Sequence, residues 1–467
     1  MTTHFRHDKP AGVGLHRTLV VAGSLWLLAT RVGLSAEVVD ASDRVREFVE
    51  PYLKNKQIPG CAIMVHYNGK IALCAGYGMA NLEHKVPVRE KTVFQSGSIG
   101  KQFTATAVML LVHDGKLALE DKVGKYLDVP QSWSGITVRN LLNHTSGLGD
   151  YPESFSLTRD YSEDELLKMV TAQTLNFTPS ERSSYSNLGY VTLGILIHKV
   201  SGRSYAEFLH ERIFQPLAMT SSRVISEEDI IPHRAAGYRL KDGVLKNQEW
   251  VAPTLNTTAD GSLYLSAEDM AKWEEALESE KLLKHAAFEQ MWHPTKLKDG
   301  GTAPYGFGWG VTQTKSGTRL LEHGGAWQGF AAYIGRYIDD RLGVVVFCNR
   351  AGAPARHIAQ EIAGFYVPTL KLAEHLPLQL DPKILESCAG DYRMGDHFTI
   401  RVNAVGDHLE TTWLGERIVM MPESERAFYE SDSDRTFRFA KDNRGKVTEL
   451  IISVPEELTL RRLQKGR

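Results

Sequence analysis

A short polar turn that runs directly into a long apolar helix is the feature that most constrains this chain. The turn is Ser96-Gly97-Ser98. Apolar side chains then recur at helical spacing at Ile99, Phe103, Ala107, Leu110 and Leu111. The helix is predicted to end near His113-Asp114-Gly115, because glycine readily adopts the left-handed conformation that follows a helix. Ser98 is therefore predicted to open a buried helix around which the rest of the chain is arranged.

Ser98 and Lys101 form the only S-x-x-K motif of the sequence. Residues three apart lie one helical turn apart on the same face, so the lysine amine can reach the serine hydroxyl. A serine needs a neighbouring base to become a nucleophile, and burial lowers the pKa of a lysine enough for it to accept a proton. Free N–H groups at the helix start favour an oxyanion. A serine here is more often an N-cap, so the motif alone does not establish catalysis.

The composition is that of a globular protein. The chain has 467 residues, of which 42% are hydrophobic and 24% charged, with a formal net charge of −2. This length accommodates one large core and a smaller domain. The nearly neutral balance and the lack of a Lys/Arg run argue against a nucleic-acid partner.

The N-terminus has the pattern of a secretory signal peptide. Basic residues precede a stretch of thirteen uncharged residues over 18–30, which ends at Arg31. A membrane-spanning helix needs about 20 apolar residues, so the stretch fits the apolar region of a signal peptide better. We predict a signal peptide over 1–36 and a secreted or periplasmic protein without a stable membrane span after cleavage. An uncleaved N-terminal membrane tether is the alternative.

The four cysteines are too few for a disulfide scaffold. Cys61 and Cys74 flank the hairpin signal Asn68-Gly69, and pairing about that turn puts Cys74 opposite Ile63, with Cys61 on the same face. This placement permits a disulfide but favours free buried thiols. Whether the two cysteines pair is left open by the sequence.

Two further polar motifs lie downstream. Tyr185-Ser186-Asn187 opens a second long apolar helix, and a phenol and an amide two residues apart on such a turn can point into one cleft. His323-Gly324-Gly325 follows a predicted core strand, which we expect to run into a glycine-rich turn that forms one wall of a cleft. In isolation, each motif is more typical of turn chemistry or of a structural histidine.

The C-terminal part changes character. Prolines mark a linker over 371–382 between a large domain over 37–370 and a small β domain over 383–467. Short alternating strands are predicted at Phe398 to Val402, His408 to Trp413, Thr436 to Ala440 and Val447 to Ser453. A segment of this size and pattern is typical of a small antiparallel barrel or sandwich.

The order of the three motifs resembles the serine β-lactamase and penicillin-binding protein superfamily, and most closely its class C β-lactamase-like branch. Further similarity lies at Ile58-Pro59-Gly60, 142–148, 215–219 and 306–309. The C-terminal segment resembles a lipocalin-like β domain. The resemblance implies an α/β (α+β) fold, in which an antiparallel sheet is flanked by helices beside a helical subdomain, followed by a small all-β barrel.

The resemblance also implies residue roles. Ser98 would form an acyl-enzyme, and Lys101 and Tyr185 would share the general-base and general-acid work, in an order that the sequence does not fix. Asn187 would hold Lys101 and the substrate, and the strand His323-x-Gly325 would line the cleft. The backbone N–H groups of Ser98 and Ala326 would form the oxyanion hole. No metal or organic cofactor is required.

The third motif departs from the usual pattern, because His323 stands where β-lactamases and D,D-peptidases usually carry lysine. A permanent cation for a substrate carboxylate is therefore missing. This favours a small ester, amide or peptide substrate, as for an esterase or a D-aminopeptidase. A true class C-type β-lactamase or a D,D-carboxypeptidase is the alternative, and a penicillin-binding sensor or scaffold without turnover is an alternative of another class.

Overall fold

The computed structural model describes residues 41–55, 57–152, 154–253, 259–261, 263–372, 378–394, 398–413, 416–430, 435–454 and 456–463. The predicted signal peptide and the alternative membrane tether both lie outside these residues. None of the helices in these ranges combines the length and the apolar character that crossing a bilayer requires.

The described α-helices lie between residues 42 and 388. They are α1 (Ser42–Asn55), α2 (Lys101–His113), α3 (Val138–Leu142), α4 (Glu163–Thr171), α5 (Asn187–Ser201), α6 (Tyr205–Leu209), α7 (Ala267–Glu278), α8 (His285–Met291), α9 (Ala355–Tyr366) and α10 (Pro382–Cys388). Short 3₁₀ turns cover Gly97–Gly100, Val123–Lys125, Gln131–Trp133 and Pro368–Leu370, and a π-helical turn covers His210–Phe214.

The described strands fall into a first group before residue 350 and a second group after residue 389. The first group is β1 (Gly60–Tyr67), β2 (Lys70–Asn81), β3 (Val86–Pro87), β4 (Val93–Gln95), β5 (Arg223–Val224), β6 (Tyr238–Lys241), β7 (Val244–Asn247), β8 (Leu263–Ser266), β9 (Thr295–Lys296), β10 (Thr302–Ala303), β11 (Gly310–Gln313), β12 (Arg319–Trp327), β13 (Phe330–Tyr337) and β14 (Leu342–Cys348). The second group is β15 (Gly390–Met394), β16 (Phe398–Val405), β17 (His408–Trp413), β18 (Glu416–Pro422), β19 (Ala427–Glu430), β20 (Thr436–Lys441), β21 (Val447–Val454) and β22 (Glu456–Arg462).

A seven-stranded antiparallel sheet forms the centre of the larger domain, in the order β11-β12-β13-β14-β1-β2-β3. Neighbouring side chains of a strand face opposite sides of the sheet. Along β1, Ala62 and Met64 join the apolar layer that contains α2 and α5, whereas Ile63 and Val65 join the layer that contains α1 and α9. Because both faces are covered, the first six residues of β1, Gly60 to Val65, form an unbroken apolar run.

The apolar layer on one side of the sheet contains α2, the helix that was predicted from the sequence to lie at the centre of the fold. Every side chain of α2 from Lys101 to Leu111 is buried, including the polar side chains of Lys101, Gln102, Thr104 and Thr106. Phe103 packs on Trp273 of α7 with ring centroids 4.3 Å apart. Ser98 lies one turn before α2, in the 3₁₀ turn Gly97–Gly100. The predicted α/β architecture is therefore confirmed.

The β1–β2 hairpin turns at Asn68-Gly69 as predicted, but the predicted register is wrong. A bulge next to Val65 puts one extra residue into β2, so Cys74 lies opposite Met64 rather than Ile63. A shift of one residue moves a side chain to the other face of the sheet. Cys74 therefore packs toward the α2 layer and Cys61 toward the α1 layer, and all four cysteines are free thiols.

The glycines of the third motif do not form the turn that the sequence suggested. Strand β12 continues through Gly324 and Gly325 to Trp327, and these glycines pair with Tyr333 and Ala332 of β13. The ladder with β13 outweighs the weak strand preference of glycine, because backbone pairing does not need a side chain. The chain reverses only at Gly329, whose φ is 79°.

The C-terminal strands form a closed antiparallel barrel of eight strands, β15 to β22. This confirms the predicted all-β domain, including the four strands found in the sequence. The other four were missed. Leu385 and Cys388 of α10 lie in the apolar core of the barrel. Helix α10 begins at Pro382, where the predicted linker ends, and the domain boundaries stay predictions.

A buried ion pair joins α7 to the central sheet. Arg336 of β13 donates from Nε to the Glu274 carboxylate at 2.8 Å, and both side chains are buried. Removing one member of such a pair leaves an uncompensated charge in the interior, which is costlier than replacing both members by apolar groups.

We expect Arg336→Met to lower the free energy of unfolding by about 3–5 kcal/mol, because Glu274 loses its cation. The double variant Arg336→Met/Glu274→Leu should recover most of the loss. Arg46→Met, which breaks an exposed pair with Asp43, should cost less than about 1 kcal/mol. Urea denaturation gives the free energy of unfolding of all three variants. A single Arg336 variant as stable as the Arg46 variant would contradict the expectation.

Candidate active site

The first motif is assembled as the sequence predicted. Lys101 Nζ donates to Ser98 Oγ at 3.0 Å. The lysine is fully buried, whereas Ser98 keeps part of its surface exposed. A reachable hydroxyl thus lies against an amine that is shielded from water.

Two more acceptors surround the Lys101 amine. It donates to Asn187 Oδ1 at 2.8 Å and to the backbone carbonyl oxygen of Asp260. Burial lowers the pKa of Lys101 to about 8, although the carboxylates of Asp260 and Asp150 act in the opposite direction. A substantial fraction of this amine is therefore neutral near pH 7 to 8.

The second motif lies beside the first. Ser186 caps α5 by accepting from the N–H of Gly189, which fixes Asn187 as the first residue of the helix. The Tyr185 ring lies over the Lys101 amine, with 4.9 Å between Nζ and the ring centroid. The turn before α5 therefore presents the phenol and the amide to one lysine.

The third motif lies next to the second, because His323 is close to Tyr185. The His323 and Tyr185 ring centroids are 6.2 Å apart. His323 Nδ1 lies 2.6 Å from the Gly324 carbonyl oxygen, so Nδ1 donates and Nε2 accepts from the Tyr305 hydroxyl at 2.9 Å. Burial, with a contribution from Lys101, lowers the pKa of His323 to about 4. His323 is therefore uncharged at neutral pH.

Strand β12 passes unusually close to the turn that carries Ser98. A Cβ on Gly325 would lie 2.0 Å from the Ser96 carbonyl oxygen, and a Cβ on Gly97 would lie 2.5 Å from the Ala326 nitrogen. Only glycine allows this approach at either position. The backbone of Ala326 is thereby held beside the turn that carries Ser98.

A second layer of groups, which sequence reasoning missed, lies behind the three motifs. Asn187 Nδ2 donates to Asp150 Oδ2 at 3.0 Å, and the Tyr151 hydroxyl donates to Asp260 Oδ2 at 2.8 Å. Both aspartates lie outside helices and strands, where this residue type is common, so no local pattern distinguishes them. Their role becomes visible only through their contacts to Asn187 and Lys101.

Within the described ranges, no group of three or more His, Cys, Asp or Glu side chains is arranged to hold a metal ion. The expectation that the reaction requires no metal or cofactor stays a prediction.

Comparison with known proteins agrees with this geometry. The family model described as Beta-lactamase matches residues 45–366, more than half of the chain. The chain belongs to the beta-lactamase family. It is a serine hydrolase of that family, and the resemblance drawn from the three motifs is confirmed at this level.

Individual members of the family resemble the chain over different lengths. Penicillin-binding protein 4* of Bacillus subtilis (strain 168) is 29% identical over 401 residues, which cover 79% of this chain and 87% of that protein. D-aminopeptidase of Brucella canis is 29% identical over 315 residues, which cover 65% of this chain and 59% of that protein. The octameric penicillin-binding protein homologue from Pyrococcus abyssi is 26% identical with a TM-score of 0.65, and the match covers 90% of this chain and 99% of that chain.

The carboxylate of Asp260 supports the charged form of Lys101. We therefore expect Asp260→Asn to lower the pKa of Lys101 below about 8. The titration is measurable by NMR of ¹³Cε-labelled lysine, with the signal assigned through Lys101→Met. Asp128→Asn serves as a control outside the site. A Lys101 that titrates near 10.5, or that does not respond to Asp260→Asn, would contradict this account of its environment.

The close approach at Gly325 gives a second expectation. Gly325→Ala should lower kcat/KM for an ester substrate about 100-fold, since displacement of reacting groups by about 1 Å costs this much. Gly324→Ala is the matched control, because a Cβ there meets nothing within 4 Å. Kinetics should be paired with thermal melting, so that misfolding is recognised. Equal activity of the two alanine variants would show that the approach is not needed.

Proposed function

We propose that this chain hydrolyses an amide or ester through an acyl-enzyme on Ser98, and that the acyl group carries a free amino group. The observation that carries the first part is the buried Lys101 amine, 3.0 Å from the Ser98 hydroxyl and with a pKa near 8. A base with a pKa close to the working pH suits proton transfer from a serine.

In the proposed reaction, neutral Lys101 takes the proton of Ser98 while Oγ attacks the substrate carbonyl carbon. The backbone N–H groups of Ser98 and Ala326 stabilise the oxyanion. Collapse of the tetrahedral intermediate breaks the bond to the leaving group, which receives the proton through Tyr185. A water molecule then attacks the acyl-enzyme, giving up its proton to the same groups, and restores the Ser98 hydroxyl.

The charges of the site support an acyl group with an ammonium. The side chains of Asp150 and Asp260 both act electrostatically on the Lys101 amine, and the neighbouring His323 is neutral. Loss of hydration raises the pKa of Asp150, and a substrate cation beside it would favour its ionised form. A substrate carboxylate, as in a β-lactam or a peptide with a free C-terminus, would meet net negative charge. We therefore favour a D-aminopeptidase-like substrate, in line with the name of the Brucella relative.

The second candidate function is that of a β-lactamase or a D,D-carboxypeptidase, which the similarity to Penicillin-binding protein 4* favours. A sensor that is acylated without turnover would have the same first half-reaction. These alternatives differ in how long an adduct on Ser98 survives and in which substrate forms it.

Ser98→Ala is expected to lower kcat about 10⁴-fold or more on any true substrate, because no acyl-enzyme can form. The test uses a D-aminoacyl anilide, the N-acetylated form of that anilide, a chromogenic ester and a cephalosporin. Ser96→Ala, which removes a buried hydroxyl that bonds to Gly261, serves as the neighbouring control and should keep most of the activity. Unchanged hydrolysis by Ser98→Ala would reject the proposal, and a long-lived cephalosporin adduct in intact-mass spectra would favour the sensor.

Asp150→Asn keeps a group that can bond to Asn187 but removes the charge. We expect it to raise KM for the free D-aminoacyl anilide about 10- to 100-fold, the usual value of a charge-assisted hydrogen bond. The KM for the N-acetylated anilide should be unaffected, since that anilide has no ammonium, whereas a change in kcat caused by the lower pKa of Lys101 should be the same for both anilides. An equal rise of KM for the two anilides would reject the amino-group preference while leaving the acyl-enzyme intact.

A further inference from the structure

A buried histidine that the proposed reaction does not use lies directly behind Tyr185. The side chain of His144 is 1% exposed, and its ring centroid is 4.3 Å from that of Tyr185. Tyr305 and Tyr190 pack around the same imidazole, with ring centroids at 4.6 and 5.2 Å. The His144 ring thus packs directly against the Tyr185 ring.

His144 also holds the backbone on both sides of Tyr185. The N–H of Ser184 donates to the His144 carbonyl oxygen at 2.9 Å. The N–H of Ser186 donates to His144 Nδ1 at 3.2 Å. The imidazole therefore acts as the second acceptor of a short ladder, and the residue between the two anchored amides is Tyr185.

Two features of His144 are energetically unfavourable, and neither would be needed if the residue only filled space. His144 has a φ of 59°, in the left-handed region that non-glycine residues rarely adopt. Because Nδ1 accepts, the proton lies on Nε2, and that buried atom has no hydrogen-bond partner among the described residues. A phenylalanine would fill the space without the unpaired Nε2 atom, but it would take away the acceptor of the Ser186 N–H. The gain from histidine at this position therefore comes from the Nδ1 acceptor.

The imidazole keeps this acceptor because it stays neutral. Burial lowers the pKa of His144 well below its ordinary value, and the nearby Lys101 and His323 act in the same direction. A neutral ring also adds no positive charge that would disfavour protonation of Lys101.

We propose that His144 is a positioning residue for Tyr185. Its ring packs against the tyrosine ring at an interplanar angle of 39°, and its Nδ1 atom holds the adjacent Ser186 amide. The proposal rests on the proposed function only for its kinetic consequences, because the orientation of the phenol is measurable without substrate. It makes His144 part of the machinery of proton transfer although it touches no reacting atom.

Two variants separate the two contacts. His144→Phe keeps a ring but loses the Nδ1 acceptor. His144→Asn tolerates the left-handed backbone and places an oxygen near the Nδ1 position, but it loses the ring. We expect kcat to fall about 100-fold for Phe and less for Asn, with KM nearly unchanged, since proton transfer rather than binding is impaired. His198→Asn, at an exposed histidine of α5, should leave kcat unchanged.

A double-variant cycle with Tyr185→Phe distinguishes positioning from general damage. If His144 acts through the phenol, His144→Phe should cost little further kcat in the Tyr185→Phe background. Additive losses would overturn the proposal. Loss of activity in Ser98→Ala bears on the proposed function and not on this cycle.

NMR of ¹³C-tyrosine-labelled protein tests the orientation directly. The Tyr185 ring signals, assigned through Tyr185→Phe, should shift in both His144 variants and exchange faster in His144→Asn, where the contact between the two rings is gone. The His198→Asn control should leave them in place. Unmoved Tyr185 signals in folded His144→Phe and His144→Asn would overturn the proposal whatever the kinetics show.

Discussion

The burial of one ammonium group organises this molecule. Lys101 is fully buried, and a charge in the interior is tolerated only when its donors are paired. Its three acceptors come from separate parts of the chain: the turn of Ser98, the start of α5 at Asn187, and the carbonyl of Asp260. Three distant segments of the chain are therefore joined at one amine, and the same burial lowers its pKa to about 8.

The sequence revealed those parts of the site that depend on the spacing of residues close together in the chain. Ser98 and Lys101 meet because they lie one turn apart, and Asn187 is placed by the cap that Ser186 forms at the start of α5. Asp150 and His144 could not be assigned roles in this way, because their function depends on contacts across the fold. His144 lay within a stretch recognised by resemblance, yet its contact to the Ser186 amide is invisible to periodicity.

The errors in the fold have similarly local causes. One bulged residue in β2 reversed the face of Cys74, and alternation cannot reveal an insertion that keeps the apolar character of the strand. The sequence predicts that the strand after Arg319 ends before Gly324, because glycine usually indicates a turn. In the structure β12 continues through both glycines, and Gly325 allows close approach to Ser96. In the barrel, missed strands such as β22 are rich in charged residues, which obscures the apolar alternation that identified their neighbours.

The central sheet joins its earliest strand to its last. Gly60, at the start of β1, and Asn349, just after β14, exchange hydrogen bonds across 289 positions of sequence. At a synthesis rate of about 5–20 residues per second, the ribosome needs roughly 15 to 60 s to make that interval. During this time the apolar β1–β2 hairpin lacks its neighbour, so completion of the sheet is a late event and the nascent chain depends on protection from aggregation until β14 emerges.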